Sequence, residues 1–152
     1  MGVTLDSNVL RDIGALSRSI HSINDIRFKQ YHLQRSQFIF LTRICEHPGL
    51  TQIALTSLLK VDKATTAKAV QKLIAEGYVV KTRDEKDKRA WNLFPTSAAN
   101  AVYEPIVAEE NRNIAICFDG FTKDERDMLC RMVARMSGNI DKEWRKYKNY
   151  KI

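Results

Sequence analysis

Residues 50–96 read LTQIALTSLLKVDKATTAKAVQKLIAEGYVVKTRDEKDKRAWNLFPT, and the order of signals in them decides the fold. Thr51 predicts the N-cap of a short helix over 51–59, with Ile53, Leu55, Leu58 and Leu59 supplying its apolar faces. A tight turn follows at Lys60 and Val61. Asp62 predicts the N-cap of a second helix over 62–76, and Gly77, tolerant of positive φ, stops it. Residues 78–83 (YVVKTR) and 90–94 (AWNLF) have β-type composition, with the charged tip DEKDKR between them. The segment therefore reads as two helices joined by a turn, then a two-stranded basic hairpin.

The second of these helices sorts its residues by face. Thr66, Val70, Leu73 and Ile74 form a stripe suited to a core, while Ala64, Thr65, Lys68 and Lys72 form a small and basic one. A face that is small near its start and cationic later enters a major groove without steric block. A lysine face is more often merely solvated, and the helix-turn before it and the hairpin after it tilt the reading to DNA. The hairpin tip carries Asp87, Lys88 and Arg89. Arginine suits a narrow minor groove, where negative potential concentrates, and a carboxylate two residues earlier can orient its guanidinium.

Upstream, residues 8–30 predict a helix. Val9, Ile13, Leu16, Ile20 and Ile23 recur at heptad steps and form a seam that needs a partner within the chain or in a second copy. Residues 36–47 predict a buried helix: Phe38, Leu41 and Cys45 share one face while Ile39, Phe40 and Ile44 cover others, and Pro48 with Gly49 ends it. Downstream, Thr96 predicts the cap of a long helix over 97–117, interrupted or bent near Pro105. Asp119 and Gly120 make a turn, and Thr122 with Glu125 is a capping box for a last helix lined by Met128, Leu129, Met132, Val133, Met136 and Ile140. The tail, 142–151, is basic with Trp144, Tyr147 and Tyr150 interleaved.

The 152 residues carry a net charge of +7, which favours a polyanionic partner. No signal peptide or run of 18 apolar residues is found, so no membrane association is expected. Cys45, Cys117 and Cys130 are odd in number and widely spaced, which suits reduced thiols and a cytoplasmic location. No phosphate loop, nucleophile elbow or zinc-protease motif is present, and His21, His32 and His47 form no close ligand pairs. Neither an enzyme, a resident metal nor a cofactor is expected.

Three stretches in order, EHPGLTQIAL at 46–55, KATTAKAVQKLIAEGYV at 63–79 and RDEKDKRAWNLFPT at 83–96, resemble the MarR (multiple antibiotic resistance regulator) family of winged-helix transcription factors. The likeness is close over 34–99 and extends to the flanking helices by pattern. It implies a mostly α fold with a small β-hairpin wing and an intertwined dimer built through the N- and C-terminal helices. Three parts follow: dimerisation helix 1–34, winged helix-turn-helix lobe 35–96, and C-terminal dimerisation helices 97–152. It implies a recognition helix over 62–76 with Lys63, Ala64, Thr65, Lys68 and Lys72 facing DNA, and a wing Asp-x-Arg on Asp87 and Arg89 with Lys88 between them.

The sequence departs from the family pattern where Lys60 replaces a frequent turn Gly and where Phe94, Pro95 and Thr96 stand in place of Leu-Thr. It departs again at Ala67, where a hydroxyl or small polar residue is common. The expected function is a ligand-responsive repressor that binds a near-palindromic operator as a homodimer. A small-molecule effector would sit against Ile20, Ile23, Phe38, Leu41, Cys45 and Val102, between the dimer helices and the DNA lobe. A redox- or metal-responsive regulator of the same fold, or a winged-helix protein-interaction module, are the alternatives.

Overall fold

The computed structural model describes residues 2–148. The eight expected elements recur, most with small shifts at their ends. Helix α1 spans Val9–Arg27 and is followed by a 3-10 turn at Phe28–Tyr31; α2 spans Gln37–Glu46, α3 Gln52–Leu59 and α4 Lys63–Ala75. Strands β1 (Val79–Arg83) and β2 (Trp91–Pro95) form an antiparallel hairpin, and α5 (Ser97–Cys117) and α6 (Lys123–Lys148) complete the chain. The basic tail expected over 142–151 is described only as far as Lys148.

Helix α2 is the hub. Phe38, Phe40, Leu41, Thr42 and Ile44 are all buried, so it has apolar neighbours on nearly every side. It touches α3, α4, α5 and β2. Around it pack Phe28, Leu33, Leu55, Ala69, Val70, Leu73, Val79, Leu93, Ala99 and Ile106. The chain enters α2 through Arg35 and Ser36, both in the left-handed region at φ 57 and 59. Side chains of α1 hold that entry: the Ser36 N–H donates to Asp25 at 2.9 Å, and the Ser36 hydroxyl lies 3.0 Å from His21 Nδ1.

Caps set the helix-turn-helix. Thr51 Oγ1 accepts from the Ala54 N–H at 3.1 Å, and Asp62 Oδ1 accepts from the Thr65 N–H at 2.7 Å. Lys60 takes φ 57 at the C-cap of α3, the geometry a glycine would adopt with less strain. A non-Gly residue there costs about 1–2 kcal/mol, so the turn is kept despite the substitution. Inside the corner the Thr56 hydroxyl donates to Thr66 Oγ1 at 2.7 Å, and the Thr66 hydroxyl donates to the Asp62 carbonyl at 3.2 Å. Both threonines are buried.

The hairpin is tied to the helices on both sides. β1 pairs with β2 from Val79 opposite Pro95 to Arg83 opposite Trp91. The Gly49 N–H donates to Leu93 O at 2.7 Å and the Leu93 N–H donates to Leu50 O at 2.9 Å. Gly49 has φ +90, and a Cβ there would meet the Phe94 ring at 3.3 Å. Thr96 caps α5 by accepting from Ala99 N–H at 3.3 Å, while its hydroxyl donates to Gly77 O at 2.7 Å.

Of the two expectations for Pro105, an interruption or a bend, the interruption is corrected: α5 runs on through it. Pro105 lies on an exposed face and so does Ala101, one turn earlier, whose carbonyl loses its helical donor. Water can serve that carbonyl, which softens the usual proline cost. The capping box at α6 forms in both directions: Thr122 N–H to Glu125 Oε1 at 3.0 Å and Glu125 N–H to Thr122 Oγ1 at 3.1 Å.

The seam on α1 is left mostly uncovered in the protomer: Leu16 is 50% exposed, Ile20 is half-buried, and of all α1 residues only Asn24 is buried. On α6, Met132 is 51% exposed and no residue is buried. A Thr66→Val substitution keeps the shape of the corner but removes its inter-helix hydrogen bond. It should lower stability by about 1 kcal/mol, read from the urea midpoint at fixed protein concentration.

Candidate nucleic-acid interface

Burial of one face of α4 dictates what the other presents. Thr66, Ala69, Val70 and Leu73 point into the core. That leaves Lys63, Ala64, Thr65 and Lys68 exposed and Lys72 half-buried on the outer side. The stripe read from sequence is therefore the stripe observed, with Ala69 added to the buried set and Ile74 only partly covered. Asp62 at the helix start has its carboxyl held below the usual range, first by the Thr65 N–H it accepts from.

The wing is ordered by two carboxylates. Asp84 Oδ1 accepts from the N–H groups of Lys86 and Asp87 at 2.9 and 2.8 Å, and Asp84 Oδ2 accepts from Asn92 Nδ2 at 3.1 Å. Those bonds, the Asp87 N–H foremost and the Asn92 amide next, lower the Asp84 pKa. Asp87 Oδ1 in turn accepts from the Arg89 N–H at 3.0 Å and from Arg89 Nε at 3.3 Å. The Arg89 side chain is 93% exposed, so Asp87 aims it without burying it. Lys88 is exposed beside it, and its carbonyl accepts from Arg83 Nη1 at 2.7 Å. Lys81 and Arg83 lie over the Trp91 ring at 4.7 and 4.9 Å, adding two cations at the loop end of the hairpin.

Two clefts flank the outer face of α4. One, of about 350 Å³, lies between the helix-turn-helix and the wing; its walls include Thr51, Gln52, Lys63, Asp87, Arg89 and Trp91. The other, of about 600 Å³, lies on the opposite side, where Gln34, Arg35 and Gln37 face Thr65, Lys68 and Lys72. Lysines, an aimed arginine and backbone amides along a convex helix with a groove on each side can neutralise phosphates and reach base edges.

All eight residues singled out from sequence thus lie on α4 or the wing tip. Sequence reasoning missed Asp84 as the wing's organiser, although an Asp that opens a short charged loop is the signal of an Asx turn, here closed by the Lys86 N–H. It also missed Arg35, which reaches the interface only through the left-handed entry to α2.

The six residues considered for an effector fall elsewhere. Phe38 and Leu41 are buried in the core, and Cys45 and Val102 pack against it half-covered. Ile20 is half-buried and Ile23 exposed on α1. None of the six lines either cleft beside α4. Among the described residues no set of three or more His, Cys, Asp or Glu side chains converges as metal ligands would. No helix among them is long and apolar enough to cross a membrane.

A MarR family model matches residues 32–90, which hold α2, α3, α4 and most of the hairpin. The uncharacterized HTH-type transcriptional regulator YybA of Bacillus subtilis (strain 168) is 36% identical over 138 residues, 91% of this chain and 92% of YybA. A MarR protein from Peptoclostridium difficile is 54% identical with a TM-score of 0.93, covering 97% of each chain. A MarR family transcriptional regulator from Listeria monocytogenes, solved in complex with 26mer DNA, is 35% identical with a TM-score of 0.89 over 98% of this chain and 99% of that one. With its helices, wing and sequence all in agreement with these relatives, this chain belongs to the MarR family of transcriptional regulators.

Proposed function

We propose that this regulator is a homodimeric repressor whose two copies of α4 occupy successive major grooves on one face of a near-palindromic operator, about 34–36 Å apart. The observation that carries the reading is the single cleft in which Lys63 of α4 meets the Asp87-aimed Arg89. The DNA complex of the Listeria relative supports it. Thr65 and Lys68 read base edges, because a lysine suits guanine acceptors and a threonine is versatile. Lys63, Lys72 and Lys88 neutralise phosphates, Ala64 lets the helix approach closely, and Arg89 enters the minor groove.

The exposed apolar faces of α1 and α6 supply the dimer contact. Monomeric soluble proteins rarely leave such faces uncovered. A repressor of this form releases DNA when an effector binds the incompetent shape more tightly than the competent one. The effector site lies between the dimer helices and the DNA lobe, around Ile20, Ile23 and Val102, where the second copy completes the walls. A thiol trigger at Cys45 is disfavoured, since burial, and secondarily the Glu46 charge, push its pKa up to about 11.

Arg89→Ala should weaken binding to a duplex from upstream of the protein's own gene at physiological salt, as read by gel shift; unchanged affinity would remove the wing from the account. Lys68→Ala should instead erode discrimination between that duplex and a scrambled one, by about 1–3 kcal/mol. In sedimentation equilibrium the protein should run at twice the 17.5 kDa of one chain. Met132→Asp, which puts a charge on the α6 face, should shift it to the protomer and abolish operator binding. Cys45 should resist iodoacetamide at neutral pH in the native state and react once the chain is unfolded in urea; rapid native labelling would reinstate a thiol switch.

A further inference from the structure

The last turns of α6 lie against the corner between α3 and α4. The Lys60 ammonium, on the helix-turn-helix turn, forms an ion pair with Asp141 and lies 4.8 Å from the centre of the Trp144 ring. Asp141 Oδ2 also accepts from Arg145 Nε at 2.8 Å. Asp141, Trp144 and Arg145 are half-buried, whereas Lys142, Glu143, Lys146 and Tyr147 around them are exposed. Steps of three and four along a helix share a face, and the next residue on this one is Lys148. Lys148 lies one turn beyond the contact with Lys60, and its charge helps to lower the Asp62 carboxyl pKa, after the Thr65 N–H as the largest influence. Asp62 caps the first turn of α4, the end of a recognition helix that reaches base edges.

Charge pairing narrows the role of each cation. Lys60 and Arg145 converge on Asp141, and Lys146 pairs with Glu143 at 2.9 Å. Lys148 is exposed one turn further along the same face of α6. We propose that the carboxy-terminal turn of α6 is a third DNA-contacting element, in which Lys148 neutralises a backbone phosphate beside the base pairs under the start of α4. The contact of Lys60 with Asp141 and Trp144 is what positions it. Lys60 thus serves as an anchor for α6 rather than as a DNA cation. This inference rests on the DNA-binding reading above.

The test uses the full chain and two duplexes, one from upstream of its own gene and one scrambled, with affinity measured by fluorescence anisotropy across a salt series. Lys148→Gln should flatten the slope of log affinity against log salt by about 0.9 and weaken binding about fivefold at 0.15 M salt, the share of one released counterion. The loss should be equal on both duplexes and the melting temperature unchanged. Asp141→Asn should reproduce the flattening, and the double variant should add nothing further.

A Lys148→Gln protein with wild-type slope and affinity, alongside an Arg89→Ala protein that still binds weakly, would overturn the inference and leave the DNA-binding reading standing. A wild-type slope for Asp141→Asn would overturn the anchoring role. Wild-type protein indifferent to both duplexes would overturn the inference and the reading together.

Discussion

A helix can bury only one side against a core, and α4 has the rest of the molecule arranged around that restriction. Its stripe of Thr66, Ala69, Val70 and Leu73 is held by α2 and α3. The lysines opposite are then turned outward by geometry, with no further instruction. Fixing the rotation of α4 about its own axis is therefore equivalent to fixing the chemistry it shows. The Thr56–Thr66 hydrogen bond pins that rotation from within, where a purely apolar contact would tolerate slippage.

The wing uses a different device. Its loop has no core of its own, so order must come from polar groups. Asp84 gathers two backbone N–H groups and a side-chain amide, and Asp87 gathers the backbone and side chain of Arg89. Two acidic residues in a loop that also carries Lys86, Lys88 and Arg89 look counterproductive by charge count. Their carboxylates are engaged by donors, and what they yield is the direction of a cation. Side-chain entropy that Arg89 would otherwise lose on binding is partly given up in advance.

Much of this was legible in the residues. Period and caps located the helices because Thr51, Asp62, Thr96 and Thr122 each accept the bond their position predicts. The outward small and basic stripe of α4 was legible because its sorting depends only on helical spacing. Three things were not. The left-handed pair Arg35 and Ser36 is held by side chains of α1 that are remote in sequence, so no local signal marks it. Pro105 reads as a breaker because the sequence does not say that its orphaned carbonyl faces water. The approach of α6 to the helix-turn-helix depends on how α5 and α6 fold back, a long-range matter that leaves only a lysine where glycine is frequent.

The link at Gly49 has a consequence for how such a molecule can change shape. With φ +90, a phenyl ring against its missing Cβ and two hydrogen bonds to β2, the connection between α2 and α3 leaves no slack. Thr96 closes the other side by joining the end of α4 to the start of α5. Helix α4 and the hairpin are consequently tied together at both ends of the hairpin's helical neighbours. Like the jaw of a calliper, that unit is braced on two sides, by the α2–α3 connection and by the cap of α5.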